Sequence, residues 1–278
     1  MVAAGSDKAC ETVGMGVIDG TAASLSFGTT ATVEVATRRY FEPIRFMPAY
    51  CAAVPHLYNP EIEIFRGYWL ISWFKNEMGH RELQEAEHHG TVPEELMDRL
   101  LDATPPGNRG LMLQPFWGPG LMNPHARGAI VGFGDIHDRS SIYRAIVEGL
   151  AYALREGLET LEHRGGITVK RVAASGGAAR NERICRITAT VLGRPLVRER
   201  THETSGLGAA LLAGVGAGLF SDVHEAIGAM VKHRDQFDPE PEHRALYDDL
   251  YHAYRKIFPR MDAIYHRLQK ITGYPEIG

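Results

Sequence analysis

Two glycines stand where a ligand could approach the backbone. Gly176 and Gly177 separate a strand-like run, RVAAS, from a predicted helix, NERICRITATVLG. A helix N-terminus after such a strand presents unpaired N–H groups and a partial positive charge, which suit an anionic or nucleotide ligand. Asn181, at the same junction, could hydrogen-bond a base or a ribose. The competing interpretation is a tight turn in which glycine allows a positive φ, because the stretch matches neither complete phosphate-binding glycine motif.

A second turn and one carboxylate add to this chemistry. In SLSFGTTATV, Gly28 opens a predicted hairpin turn, and Thr29 and Thr30 supply donors that could hold phosphate oxygens. An ordinary hairpin with β-branched threonines is the alternative. Asp7, in AAGSDKACETVG, lies where a strand is predicted to enter a helix. Its carboxylate is either a helix cap or a general base that accepts the proton of a hydroxyl attacking phosphorus.

Composition limits the class of protein. Of 278 residues 44% are hydrophobic, and 30 basic residues are mixed with 34 acidic ones, which predicts a globular protein without a face for nucleic acid or an anionic membrane. We expect a soluble, cytoplasmic protein, since there is no apolar run of the ~20 residues of a membrane span, no signal peptide and no CxxC pair. One cluster with metal-like spacing lies in a polar, acidic helix, where a solvated face is the better interpretation: Glu85, His88 and His89.

Periodicity predicts the elements that position these residues. Residues 21–39 alternate as a hairpin, and the strongest helix begins near Asp138 or Ser140 and ends at Gly165 and Gly166. Strand-like and helical runs then alternate from ITVKRVAAS to RPLVRE, which predicts an α/β sheet with helices packed on its faces. The small residues of GLGAALLAGVGAG predict a helix very close to a neighbour, and we expect a kink at Pro259 in the last helix.

The order of these stretches resembles the C-terminal domain of the FGGY carbohydrate kinases, the family of glycerol, xylulose, ribulose and gluconate kinases. The resemblance covers nearly all of residues 1–278, and four passages carry it: GSDKACETVG, SLSFGTTATV, the stretch from NPHARG to REGL, and the stretch from ASGGAARN to LLAG. The last passage is similar to the adenosine-binding motif of the family. The resemblance implies an α/β, ribonuclease-H-like domain of the actin-like ATPase superfamily, with a mixed sheet flanked by helices.

The resemblance also implies roles for individual residues. Asp7 is similar to the catalytic base that takes the proton from the sugar hydroxyl. Gly28 and Thr29 match the turn that contacts the ATP phosphates. The remaining nucleotide contacts that the motifs imply are Gly176, Gly177, Ala178 and Asn181 for the adenosine, and Gly110, before LMLQP. The implied cofactors are ATP and Mg²⁺, and phosphoryl transfer needs positioning and charge stabilisation more than covalent help from the protein.

The resemblance does not include the N-terminal domain of the family, as expected of a truncated chain, a fragment of a longer gene product or half of a split enzyme. In the family that domain supplies another phosphate-binding segment, much of the Mg²⁺ environment and most of the sugar contacts. We therefore expect little or no kinase activity from this chain alone. The implied partners are a sugar or polyol, ATP or ADP, the N-terminal domain and, as in many relatives, a second copy in a homodimer. The alternative is a non-catalytic actin-like module that binds a nucleotide or a partner, although Asp7 favours the enzyme.

Overall fold

A six-stranded mixed sheet flanked by helices forms the framework of the chain. The computed structural model describes residues 2, 4–118, 120 and 123–276. The helices are α1 (Asp7–Gly14), α2 (Trp69–Met78), α3 (His80–His89), α4 (Pro93–Asp102), α5 (Arg139–Gly165), α6 (Glu182–Leu192), α7 (Thr204–Gly216), α8 (Val223–Met230), α9 (Pro241–Tyr254) and α10 (Ile257–Thr272). The strands are β1 (Ala22–Phe27), β2 (Ala31–Val35), β3 (Tyr50–Cys51), β4 (Tyr58–Asn59), β5 (Glu61–Ile64), β6 (Met112–Gln114), β7 (Ala129–Val131), β8 (Arg171–Ser175), β9 (Leu196–Glu199) and β10 (His233–Phe237). Two 3₁₀ helices span Pro106–Gly110 and Gly177–Arg180.

The strand order combines a meander with parallel strands. The sheet reads β10-β9-β8-β1-β2-β5. β1, β2 and β5 pair antiparallel in succession, whereas β8 and β9 run parallel to β1. Because parallel neighbours need a crossover, α6 connects β8 to β9. This arrangement confirms the mixed α/β sheet that the sequence predicts, and within the described ranges no helix is long and apolar enough to cross a membrane.

Both faces of the sheet are buried, since successive strand residues point to opposite sides. In β1, Ala23 and Leu25 belong to the main core, which also contains the buried side of α5, while Ala22 packs with Met15 on the other face. Helix α5 begins and ends where the sequence predicts. The Asp138 carboxylate caps it by accepting the backbone N–H groups of its first turn, and it ends at a left-handed glycine.

Helix α1, which carries Asp7, is held against α7 by backbone-to-backbone contact. A Cβ added to Gly208 of α7 would lie 1.9 Å from the Cys10 carbonyl oxygen of α1. A Cβ added to Gly14 of α1 would lie 1.9 Å from the carbonyl oxygen of Thr204. Only glycine fits at either position, which confirms the close approach predicted from GLGAALLAGVGAG and fixes the axis of α1.

Two local predictions need correction, and one pair of elements was missed. The last helical segment is interrupted at Arg255 and Lys256 instead of at Pro259, which lies in the first turn of α10 where no intrahelical N–H is required. The described residues before Asp7 are not a strand; Ser6 is the N-cap of α1 and accepts the Ala9 N–H at 3.2 Å. The short pair α8 and β10 was not predicted, because its periodicity is brief.

Candidate functional site

The two glycines after β8 serve different structural purposes. Gly176 has φ +91°, and an added Cβ would lie 2.8 Å from the Phe27 carbonyl carbon, so close packing on β1 excludes any side chain. Gly177 is exposed, and a Cβ built on it meets no atom within 4 Å. A tight corner and an accessible backbone therefore coexist at this turn: the first glycine is required by packing, while the second leaves an open stretch of backbone.

The hairpin turn after β1 lies beside this stretch. Ser26 of β1 is in parallel register with Ser175 of β8, so both strands end at the same edge of the sheet. Gly28 follows β1, and its carbonyl oxygen accepts the Tyr68 N–H at 3.1 Å, which anchors one side of the turn. Thr29, the next residue, is exposed. The structure therefore brings the Gly28–Thr29 turn and the Gly176–Gly177 turn together, as the motifs predict.

A buried arginine holds the strip of residues 177–180 in place. Arg198 of β9 is 2% exposed and donates to the Ala179 carbonyl at 3.0 Å and the Arg180 carbonyl at 2.8 Å. Its other terminal nitrogen pairs with Asp235 of β10, and its guanidinium lies 4.9 Å from the Phe237 ring centroid. The sequence analysis missed this residue, because its role depends on β9 lying next to β8. A fixed guanidinium satisfies the carbonyls of this strip without occupying its outer surface.

Ala178 and Asn181 are less open than Gly177. Ala178 packs against the main core and is half-buried. The Asn181 amide is engaged at both ends: its oxygen caps α6 by accepting the Ile184 N–H at 3.1 Å, and its nitrogen contacts the Asp98 carboxylate of α4. Asn181 therefore sets the start of α6 and the position of the strip.

Asp7 lies at the first position of α1 with its carboxylate exposed. Its Oδ1 accepts the Lys8 N–H at 2.8 Å, and within the described part of the chain it has no ion-pair partner. Because Ser6 provides the cap, the carboxylate is not consumed by that structural role. One turn along α1, Glu11 hydrogen-bonds Ser175 at the end of β8. This contact ties the helix that carries Asp7 to the edge where the two turns meet.

A cluster of buried polar side chains joins α1 to the sheet. Thr12 donates to Glu34 of β2 at 2.6 Å, and Glu34 is in register with Glu61 of β5. Burial, reinforced by the charge of Glu61, raises the pKa of Glu34 to about 8. Burial also raises the pKa of Glu61, with Glu63 adding to the shift. The sequence offered a signal for part of this group, since Thr32 and Glu34 alternate on one face of β2.

Gly110 occupies a separate turn. It has φ +88° and open space around it, at the end of the 3₁₀ helix Pro106–Gly110. That turn is fixed from α5: the Asn108 amide donates to the Ser141 carbonyl at 2.7 Å, and Glu148 accepts the Gly107 N–H at 3.0 Å. This turn packs mainly on α5 and α9, and the Gly110 carbonyl lies beside Gly132 after β7, so Gly110 is open to a ligand in a turn distinct from the other two.

Comparisons with known proteins agree with this architecture. A model of the C-terminal domain of the FGGY family of carbohydrate kinases matches residues 23–217. An uncharacterized sugar kinase of Escherichia coli (strain K12) is 29% identical over 244 residues, which is 87% of this chain and 50% of that protein. A xylulose kinase of Lactococcus lactis is 26% identical over 272 residues, which is 96% of this chain and 52% of that protein. The chain thus spans about half the length of these curated relatives.

Solved structures share the same fold. The crystal structure of xylulose kinase from Rhodospirillum rubrum has a TM-score of 0.79 at 25% identity and covers 94% of this chain and 51% of that one. Gluconate kinase from Lactobacillus acidophilus has a TM-score of 0.79 at 21% identity, with 93% of this chain and 51% of that chain covered. The second likeness concerns the fold alone.

Proposed function

This chain belongs to the FGGY family of carbohydrate kinases, as a C-terminal domain with the actin-like ATPase fold, and from that premise we propose that it binds ATP and supplies the catalytic base for phosphoryl transfer to a sugar or polyol. Relatives of this chain are named xylulose kinase and glycerol kinase. The proposal assigns the nucleotide half of the reaction to this chain. The N-terminal domain of the family would supply most of the sugar contacts.

The observation that carries the proposal is the open backbone of Gly177 beside the Gly28–Thr29 turn. A nucleotide can approach the backbone closely only where no side chain projects, and Gly177 provides such a surface. The N–H groups and hydroxyls of the neighbouring turn are suited to phosphate oxygens, because hydrogen-bond donors can bind these oxygens without a basic side chain. These residues fit ATP: Gly177 and Ala178 would hold the adenosine, and Gly28 and Thr29 would hold the phosphates.

Asp7 is proposed as the base that accepts the proton of the attacking hydroxyl. Its carboxylate is exposed at the N-terminus of α1, and α1 is braced on both sides, by α7 and by the Glu11–Ser175 contact. Bracing matters because phosphoryl transfer depends mainly on position. ATP brings Mg²⁺, which neutralises charge on the transferring phosphate; we assign no residue of this chain to it, since the family resemblance places much of its environment in the N-terminal domain.

The nucleotide part is tested by calorimetric titration of the 278-residue chain with MgATP and with ADP. Gly177→Val places a branched side chain on the strip, whereas Gly228→Val places the same side chain on α8, where a Cβ also meets nothing within 4 Å. We expect the Gly177 variant to lose at least about tenfold in affinity, the equivalent of 1.4 kcal/mol, and the Gly228 variant to bind normally. Absence of nucleotide binding by the folded wild-type chain, or equal binding by both variants, would overturn the assignment.

The catalytic part is tested after the chain is joined to an N-terminal domain of its family. Asp7→Asn should lower kcat by about 100-fold or more, the usual contribution of a general base, and leave nucleotide affinity unchanged. Asp249→Asn, on an exposed part of α9, is the matched control and should retain wild-type turnover. Full activity of the Asp7 variant would show that another group accepts the proton.

A further inference from the structure

Two histidines and an aspartate from separate parts of the fold meet beside the last helix. His125 lies in the segment between β6 and β7, and Asp262 and His266 lie one helical turn apart on α10. One ligand atom from each, a ring nitrogen or a carboxylate oxygen, lies within 4.8 Å of the others. The sequence analysis did not identify this cluster, because 137 residues separate His125 from Asp262.

His125 is the fixed member of the cluster, and the other two are able to move. His125 is 8% exposed, and its Nε2 lies 2.6 Å from Asp262 Oδ1. Its ring stacks on that of His266, with centroids 3.5 Å apart and an interplanar angle of 22°. The Asp262 side chain is 42% exposed, and His266 is exposed. Two ligands can therefore rotate toward a common point while the third stays in place.

We propose that His125, Asp262 and His266 bind a divalent transition-metal ion, with Zn²⁺ as the reference ion. Imidazole nitrogen and carboxylate oxygen are the donors that Zn²⁺ takes in proteins, at about 2.0–2.2 Å. Tetrahedral ligands at that bond length lie roughly 3.3 Å apart. To admit the ion, the Asp262 oxygen moves away from the His125 nitrogen, which now lies 2.6 Å from it, and the His266 ring rotates to face the same point. Three protein ligands leave one position for water or a further ligand.

The ion would clamp α10 to the segment that precedes β7. Among the residues of α10, all of which the structure describes, Tyr265 alone is buried, so the helix is held by few apolar contacts. Arg127 already makes the same connection farther along: its guanidinium donates to Thr272 Oγ1 at 3.0 Å and stacks 5.2 Å from the Tyr274 ring centroid. A metal ion at His125 would add a second tie about two to three turns closer to the start of α10.

The clamp borders a cavity of the described structure. This cavity has a volume of about 340 Å³, and its lining includes Asn123 and Ala126 on either side of His125, together with Phe258 and Pro259 at the start of α10. Both walls that the metal ion would connect thus contribute to the cavity. Metal binding would hold the two walls at a fixed separation.

The test uses the chain after chelator treatment, in a Cys51→Ser background, because Cys51 is the exposed thiol. Zn²⁺ binding is measured by calorimetry, and Co²⁺ binding by its visible absorption. We expect one ion per chain, and a rise in Tm of roughly 5 °C at a hundredfold excess of Zn²⁺ over Kd. His266→Ala, an exposed substitution with little risk to folding, should weaken binding at least about tenfold, since loss of even a hydrogen-bond partner of a ligand costs that much.

The matched control is His88→Ala on α3, within the cluster whose spacing alone suggests a metal site. It should leave Zn²⁺ affinity unchanged. No Zn²⁺ binding by the folded chain, binding that survives His266→Ala, or binding lost in His88→Ala would each overturn the proposal. None of the three ligands belongs to the nucleotide strip, so the outcome is separate from that of the ATP titrations.

Discussion

Glu34 offers a direct test of the electrostatics beneath the candidate site. The side chain is 2% exposed, accepts the Thr12 hydroxyl at 2.6 Å, and stands opposite Glu61 across the β2–β5 pair. Burial and the neighbouring carboxylate raise its pKa from the ordinary 4.5 to about 8. Glu34→Gln keeps the shape and the hydrogen-bond acceptor for Thr12 while removing the ionisable group.

The magnitude follows from the difference between the folded and unfolded pKa values. Because the folded chain holds this proton more tightly, folding takes up a proton between about pH 4.5 and pH 8. The stability that Glu34 contributes is complete below pH 4.5 and is lost as the pH rises through about 8. Each pH unit in this window lowers the free energy of unfolding by about 1.4 kcal/mol. Between pH 5.5 and pH 7.5, the wild type should therefore lose roughly 2–3 kcal/mol that the glutamine variant retains.

The assay is urea unfolding of both proteins at pH 5.5, 6.5, 7.5 and 8.5, with Glu87→Gln as an exposed control on α3. The difference in unfolding free energy between Glu34→Gln and the wild type should grow in favour of the variant as the pH rises, and the Glu87 difference should stay flat. A Glu34 difference that is constant with pH would refute the reasoning, because it would mean that the carboxylate is hydrated or already ionised in the folded chain.

Two further substitutions probe the supports of the site. Gly208→Ala should destabilise the chain by about 3 kcal/mol or more in urea unfolding, because its Cβ would overlap the Cys10 carbonyl. The control, Gly206→Ala, lies on the same helix in open space and should be neutral or stabilising by up to about 1 kcal/mol. Equal effects of the two substitutions would exclude the close contact between α1 and α7. Arg198→Met should cost roughly 3 kcal/mol, since it leaves the Ala179 and Arg180 carbonyls without their donor and leaves Asp235 with Arg234 as its remaining ion-pair partner. It should also weaken MgATP binding in calorimetry, and unchanged nucleotide affinity would separate the arginine from the strip.

Short-range sequence patterns were enough to predict the elements that begin or end at a capping residue or a glycine. Asp138 and the pair Gly165 and Gly166 mark the limits of α5, because caps and left-handed glycines act within a few residues. The hairpin around Gly28 and the strand before Gly176 were likewise predicted from alternation and small residues. The motifs predict that the two turns share one site, and the β1–β8 register brings the turns close together.

The parts that the sequence did not reveal depend on contacts between distant segments. Arg198 reaches the strip because β9 lies beside β8, and the Glu34–Glu61 pair forms because β5 joins the far side of β2. His125 and His266 are far apart in sequence and stack because α10 packs beside the segment between β6 and β7. The residue type at one position does not indicate which strand or helix will lie beside it. These roles can therefore be identified only from the folded structure.

Asn181 shows how the structure changes the meaning of a motif residue. The motif suggests an amide that reads the nucleotide, yet its oxygen caps α6 and its nitrogen contacts Asp98. An amide with both ends engaged has little remaining capacity for a ligand, since each new hydrogen bond would compete with one that positions the helix. The open backbone of Gly177 and the exposed Thr29 face no such competition. We therefore propose that a nucleotide on this strip would be recognised through backbone access, with Asn181 acting through the position of α6.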